Sequence, residues 1–151
     1  MHSCGVCHRD LKMDNVLITD AGKVKIIDFG FSISCEKETK LVISCGTPAF
    51  MAPEIVRKLP YSGFSADVWA LGILLYIMLT GKHPFKHKSE QELLSRIVVG
   101  EITPNTSISF EAMRLINRML SQDPAKRPLV SEVCTDQWLV DNKMMALNII
   151  K

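Results

Sequence analysis

The sequence predicts a mainly α domain with one small β-hairpin near its start, and three observations carry that reading. Val16 to Thr19 and Lys23 to Ile27 are β-branched runs on either side of Asp20-Ala21-Gly22, a turn in which glycine is free to take positive φ. Beyond Ser65, apolar residues recur at three- and four-residue spacing, as in Leu93, Leu94, Ile97, Val98 and again in Leu115, Ile116, Met119, Leu120. Between hairpin and helices, Phe31 to Pro48 mixes polar, charged, Gly and Pro residues without a period, which predicts a long loop.

Taken in order, Ser65 is placed to cap a first long helix that runs to Thr80, stops at Gly81 and is followed by Pro84. Within it, Val68 to Leu79 is the longest apolar run, too short to span a bilayer and therefore read as a buried helix. Shorter helices are expected at Glu90–Val99, Glu111–Leu120 and, after Pro128, Val130–Leu139. No repeat or low-complexity tract interrupts them.

The 151 residues suit one domain with a real core, and 47% hydrophobic with 23% charged residues is ordinary for a soluble protein. A net charge of +2 supplies no reason to expect nucleic acid or an anionic membrane as partner. No apolar N-terminal segment follows a basic start, and five cysteines is an odd number, favouring reduced thiols over a disulfide framework. The expected location is therefore intracellular and cytoplasmic. Cys4-x-x-Cys7-His8 also fits the attachment pattern of a c-type haem, and CGVC a redox dithiol. A c-type haem implies export, for which no signal is visible, so the spacing of the two cysteines is read as chance.

The same stretch continues as His8-Arg9-Asp10-Leu11-Lys12-Met13-Asp14-Asn15. Asp28-Phe29-Gly30 follows the second strand, and Ala52-Pro53-Glu54 closes the segment after Gly46-Thr47-Pro48. Asp67-Val68-Trp69-Ala70-Leu71-Gly72 opens the apolar helix, and Arg127-Pro128 lies near the end. Singly, each has a plain structural reading: Asp10 and Asn15 as turn or cap residues, Gly30 as the positive-φ member of a turn. Likewise Glu54 and Arg127 could be solvated charges, and Asp67 a helix-dipole partner. Together, in this order and at this spacing, they resemble the C-terminal lobe of a protein serine/threonine kinase.

The resemblance implies a kinase-like C-lobe over 1–139, with catalytic loop 8–15, activation segment 28–54, helical part 65–139 and an uninterpreted tail, 140–151. It implies ATP-dependent phosphorylation of protein Ser/Thr, with ATP and Mg²⁺ bound. Asp10 would accept or orient the proton of the attacking hydroxyl, Lys12 would reach the transferring phosphate, and Thr47 would link the two. Asn15 and Asp28 would hold Mg²⁺, and Leu17 would floor the adenine pocket. His8 would pack under Phe29, Gly30 would complete its motif, Glu54 and Arg127 would pair in the interior, and Asp67 would anchor the catalytic loop.

Several features depart from the family. No Gly-rich loop, strand Lys or paired helix Glu precedes the catalytic loop, so the N-lobe is a missing partner: the chain is a fragment or a C-lobe alone. On that reading the isolated chain is inactive, and the apolar face of Val68–Leu79 loses part of its cover. A non-catalytic interaction module is the alternative function. Ile43 stands where relatives carry a phosphorylatable Thr that pairs with Arg9, leaving Thr39 and Ser44 as possible phosphosites. Phe31, after the Asp28 motif, goes in this family with serine preference. Ile77 and the basic loop Lys82, His83, Lys86, His87, Lys88 speak against a requirement for arginine in the substrate, with Asp14 the one acidic contact.

Overall fold

The computed structural model describes residues 1–103 and 105–142; of the tail set apart in the sequence, 143–151 lies outside them. The strands are β1 (Val6–Cys7), β2 (Val16–Ile18), β3 (Val24–Ile26) and β4 (Ile33–Ser34). β2 and β3 make the expected antiparallel hairpin, with Val16 opposite Ile26 and Ile18 opposite Val24. Its turn closes through Gly22, at φ 71°, whose N–H donates to the Thr19 carbonyl at 2.8 Å. β1 and β4 pair antiparallel as well, Val6 opposite Ser34 and Cys7 opposite Ile33. The long loop expected over Phe31–Pro48 is therefore corrected. It starts with a strand, bridges Leu41 to Tyr61, and ends in the single 3-10 turn Pro48–Phe50. Two-residue strands carry no periodic signal, and only their distant partners define them.

The helices are α1 (Pro53–Val56), α2 (Gly63–Thr80), α3 (Glu90–Val99), α4 (Phe110–Met119) and α5 (Val130–Cys134). α3 has the expected bounds, and α4 begins one residue early, each with a serine hydroxyl (Ser89, Ser109) accepting a first-turn N–H. α2 starts at Gly63, so Ser65 is not its cap; the Ser65 hydroxyl instead donates to the Pro124 carbonyl at 3.0 Å. The expected helix Val130–Leu139 is broken at Thr135 and Asp136, and helical backbone resumes at 137–142. The cause is Asp136: its buried carboxylate accepts from the Trp138 N–H at 3.1 Å and from Arg118 at 3.2 Å.

α2 is the axis of the core. Its Trp69, Ile73 and Tyr76 pack with Tyr61, Phe85, Leu93, Ile97, Ile116 and Leu120, while Val68 meets Leu115, Met119 and Val133. Gly72 permits the close approach of α4, because a Cβ there would lie 2.9 Å from Leu120 and Met119 side-chain atoms. By length and apolarity α2 could cross a membrane, but most of it is buried in this core. The exposed apolar residues of α2 are Met78 and Leu79 at its C-terminal end, and on the hairpin Ile18 and Val24 are strongly exposed and Leu17 half exposed.

The loop after α2 is pinned by His83. Its Nε2 donates to the Ala49 carbonyl at 2.8 Å and its Nδ1 accepts from the Phe85 N–H at 3.2 Å. Burial holds its pKa below the ordinary 6.5, with the carbonyl contacts opposing. As pH falls through the ordinary histidine range, the unfolded chain takes a proton that the folded ring refuses, so stability is present above that range and lost below it. Urea unfolding at about pH 7.5 and pH 5.5 is expected to show this loss, and His83→Gln is expected to shrink it.

Candidate active site

The site begins with backbone that could not hold itself. Arg9 has φ 67°, a left-handed conformation that a bulky residue adopts only when its surroundings impose it. Asp67, on α2 and 1% exposed, imposes it. Its Oδ2 accepts the His8 N–H and its Oδ1 the Arg9 N–H, both at 2.8 Å. His2 Nε2 reaches the same carboxylate at 2.8 Å, a contact that sequence reading missed because nothing local joins residues 65 apart. The buried His8 ring fixes the next residues: Nε2 donates to the Ile27 carbonyl at 3.0 Å, and Nδ1 accepts from the Asp10 N–H at 3.3 Å. Phe29 packs on it with ring centroids 5.2 Å apart.

Asp10, Lys12, Asn15 and Thr47 are thereby brought together. The Asp10 Oδ1 accepts from both the Thr47 N–H and its hydroxyl at 2.8 Å, and Oδ2 lies 3.0 Å from Lys12 Nζ. Lys12 Nζ also donates to Thr47 Oγ1 at 3.0 Å, closing a triangle. Asn15 Nδ2 donates to the Asp10 carbonyl at 2.9 Å, which fixes the orientation of the amide. Burial of Asp10 would raise its pKa, but the Thr47 and Lys12 hydrogen bonds and the Lys12 charge outweigh it and hold the carboxyl below the ordinary value. The reciprocal bond from Asp10 raises Lys12. Gly46, which sequence reading left without a role, is required here. At φ 101°, a Cβ on it would stand 2.5 Å from the Arg9 carbonyl oxygen.

Asp28 sits at the end of the hairpin with φ 59°, exposed, its Oδ1 accepting the Gly30 N–H at 3.2 Å. Among the described residues no cluster of three His, Cys, Asp or Glu could hold a metal ion. Leu17 is half exposed on the hairpin. Arg9 Nε donates to the Phe31 carbonyl at 2.6 Å, while Thr39 and Ser44 are exposed on the segment beyond.

Glu54 and Arg127 meet in the interior, 73 residues apart in sequence, through two parallel bonds of 2.7 Å. Arg127 further donates from Nε to the Ser121 carbonyl at 2.9 Å and lies 4.9 Å over the Trp69 ring. This pair clamps the end of the loop segment to α2 and to the turn before α5.

The family model of the protein kinase domain matches residues 1–139. The chain is 42% identical over 140 residues to sperm motility kinase 2B of Mus musculus, covering 93% of the chain and 29% of that protein. It is 40% identical over 140 residues to CBL-interacting protein kinase 16 of Oryza sativa subsp. japonica, covering 91% of the chain and 31% of that protein. A probable serine/threonine-protein kinase of Dictyostelium discoideum is 39% identical over 141 residues, with 93% and 17% covered. The chain thus spans less than a third of the length of these relatives, and over that span its sequence and the geometry above agree: it belongs to the protein kinase family.

Proposed function

We propose that the chain is the C-lobe of a protein serine/threonine kinase and carries the phosphoryl-transfer site of the complete domain. The observation that carries this is the closed Asp10–Lys12–Thr47 triangle braced by Asn15. A carboxylate held at both oxygens, with its pKa lowered, is a poor free base but a well-aligned acceptor for a hydroxyl proton. Asp10 therefore orients a substrate serine or threonine, and Lys12 sets one positive charge beside the group being transferred. Asn15 and Asp28 supply hard oxygens for Mg²⁺, which when bound neutralises nucleotide phosphate charge. ATP adenine would lie over Leu17. The exposed apolar face of the hairpin is where an N-lobe would pack.

Phe31, half exposed beside this site, underlies the proposed preference for serine over threonine. Of the basic loop, His83 is held neutral and tied to Ala49. Lys82, Lys86 and Lys88 then carry the repulsion proposed against arginine-containing substrates.

The 151-residue chain alone is expected to have negligible activity, because its sequence shows no Gly-rich loop or strand Lys to hold nucleotide phosphates, and alignment supplies about 7–11 kcal/mol of such barriers. Phosphotransfer to a serine peptide, with and without the N-lobe, tests this. Turnover by the chain alone near ordinary kinase values, about 1–100 per second, would overturn it.

A further inference from the structure

Cys7 and Cys35 have no part in the chemistry above. Their sulfurs are 3.8 Å apart, although 28 residues separate them. The β1–β4 pairing brings them together: Cys7 lies opposite Ile33, and the Cys35 N–H donates to the Gly5 carbonyl at 2.9 Å, so the two thiols are diagonal neighbours across the ladder. Cys4, the other cysteine of the CGVC stretch, is exposed. The thiols of the pair differ in access. Cys7 is 0% exposed, packed against Gly63, where a Cβ would stand 2.8 Å from its sulfur, whereas Cys35 is half-buried and reachable from solvent. Burial, then the hydrogen bond with Cys35, pushes the Cys7 thiol far up, so a small oxidant meets Cys35 first.

We propose that Cys7 and Cys35 form a reversible oxidation site for hydroperoxides, Cys35 reacting first and Cys7 closing a disulfide. In the first step the Cys35 sulfur attacks one peroxide oxygen and the O–O bond breaks. Cys35 becomes a sulfenic acid, and the other oxygen leaves as water with the thiol proton. In the second step the Cys7 sulfur attacks the sulfenic sulfur. The S–O bond breaks, the S–S bond forms, and the departing hydroxide takes the Cys7 proton as a second water. Two thiols and one hydrogen peroxide give one disulfide and two waters; the sulfurs lose two electrons and the peroxide gains them. An external dithiol reverses the reaction by exchange.

Closure draws the sulfurs from 3.8 Å to about 2.05 Å, which requires the two side chains to turn toward each other and β4 to shift along β1. Both strands are only two residues long, so few ladder bonds resist. The disulfide would tie the residue before His8 to the segment after Phe31, whose carbonyl already accepts from Arg9. This chemistry stands whether or not the phosphotransfer reading does.

The test is a thiol map of the folded 151-residue chain after brief exposure to hydrogen peroxide, alkylation and peptide mass spectrometry. The expected result is a Cys7–Cys35 cross-link as the dominant disulfide, independent of dilution, reversed by dithiothreitol and lost when oxidation is done in denaturant. Cys35→Ser is expected to abolish the cross-link and leave Cys7 a free thiol. Cys7→Ser is expected to leave Cys35 as a sulfenic acid that dimedone traps. Cys7 joined instead to Cys4 or Cys45 overturns the proposal. So does recovery of Cys7 and Cys35 as free thiols after Cys4 and Cys134 have oxidised. If Cys7→Ser does not fold, the wild-type map and Cys35→Ser still decide.

Discussion

Asp10→Asn in the complete domain is expected to lower phosphotransfer by about 10²–10⁴-fold while leaving Mg·ATP binding and folding intact. The asparagine keeps the shape and its oxygen can still accept from Thr47, but its amide NH2 cannot accept from Lys12, so the triangle loses its charge and its Lys12 edge. On the proposed reading, what disappears is the carboxylate that would align the incoming hydroxyl and receive its proton. Asp28→Ala is expected to fail differently. Asp28 makes one backbone hydrogen bond and is exposed, so its removal costs little stability, but it takes away a charged oxygen donor and should weaken Mg·ATP binding directly. Nucleotide titration against Mg²⁺ concentration, alongside initial rates, separates the two variants. Equal loss of nucleotide binding in both would show that Asp10 serves the nucleotide and not the hydroxyl.

Arg127→Ala is expected to be the most destabilising single change in the helical part, costing about 3–5 kcal/mol. The truncation strands the Glu54 carboxylate in the interior with neither of its 2.7 Å partners and empties the space over Trp69. Against a typical total of about 5–15 kcal/mol, such a loss takes a large share of the stability. Arg127→Lys should fall between, because a single ammonium keeps the charge but cannot make two parallel bonds to Glu54 and a third to Ser121. Denaturant unfolding of the three proteins measures the series. A cost below about 1 kcal/mol for Arg127→Ala would mean the pair contributes no more than a surface ion pair.

The site is more legible in the sequence than the fold that holds it. Asp10, Lys12 and Asn15 stand out through a short motif that resembles a kinase catalytic loop, Thr47, 37 residues away, only through that resemblance, and the hairpin because β-branched runs flank a glycine turn. The α3 and α4 helices follow their apolar period. The β1–β4 pair escapes such reading because two residues make no pattern, and with it escapes the proximity of Cys7 and Cys35. The break in the last predicted helix has the same origin. Thr135-Asp136 continues a helical pattern, but the Asp136 carboxylate accepts the Trp138 N–H and is drawn inward by Arg114 and Arg118 of α4, and together these interrupt it. His83 reads as a surface charge in a Lys/His loop until the Ala49 and Phe85 backbones are placed beside it.

Phosphoamino-acid analysis of the products made by the complete domain from radiolabelled Mg·ATP and a mixed-acceptor peptide pool tests the central claim most directly. The account predicts label on serine, less on threonine and none on tyrosine, with all of it lost in Asp10→Asn. A folded domain that binds Mg·ATP yet labels tyrosine, or transfers equally well without the Asp10 carboxylate, would contradict it.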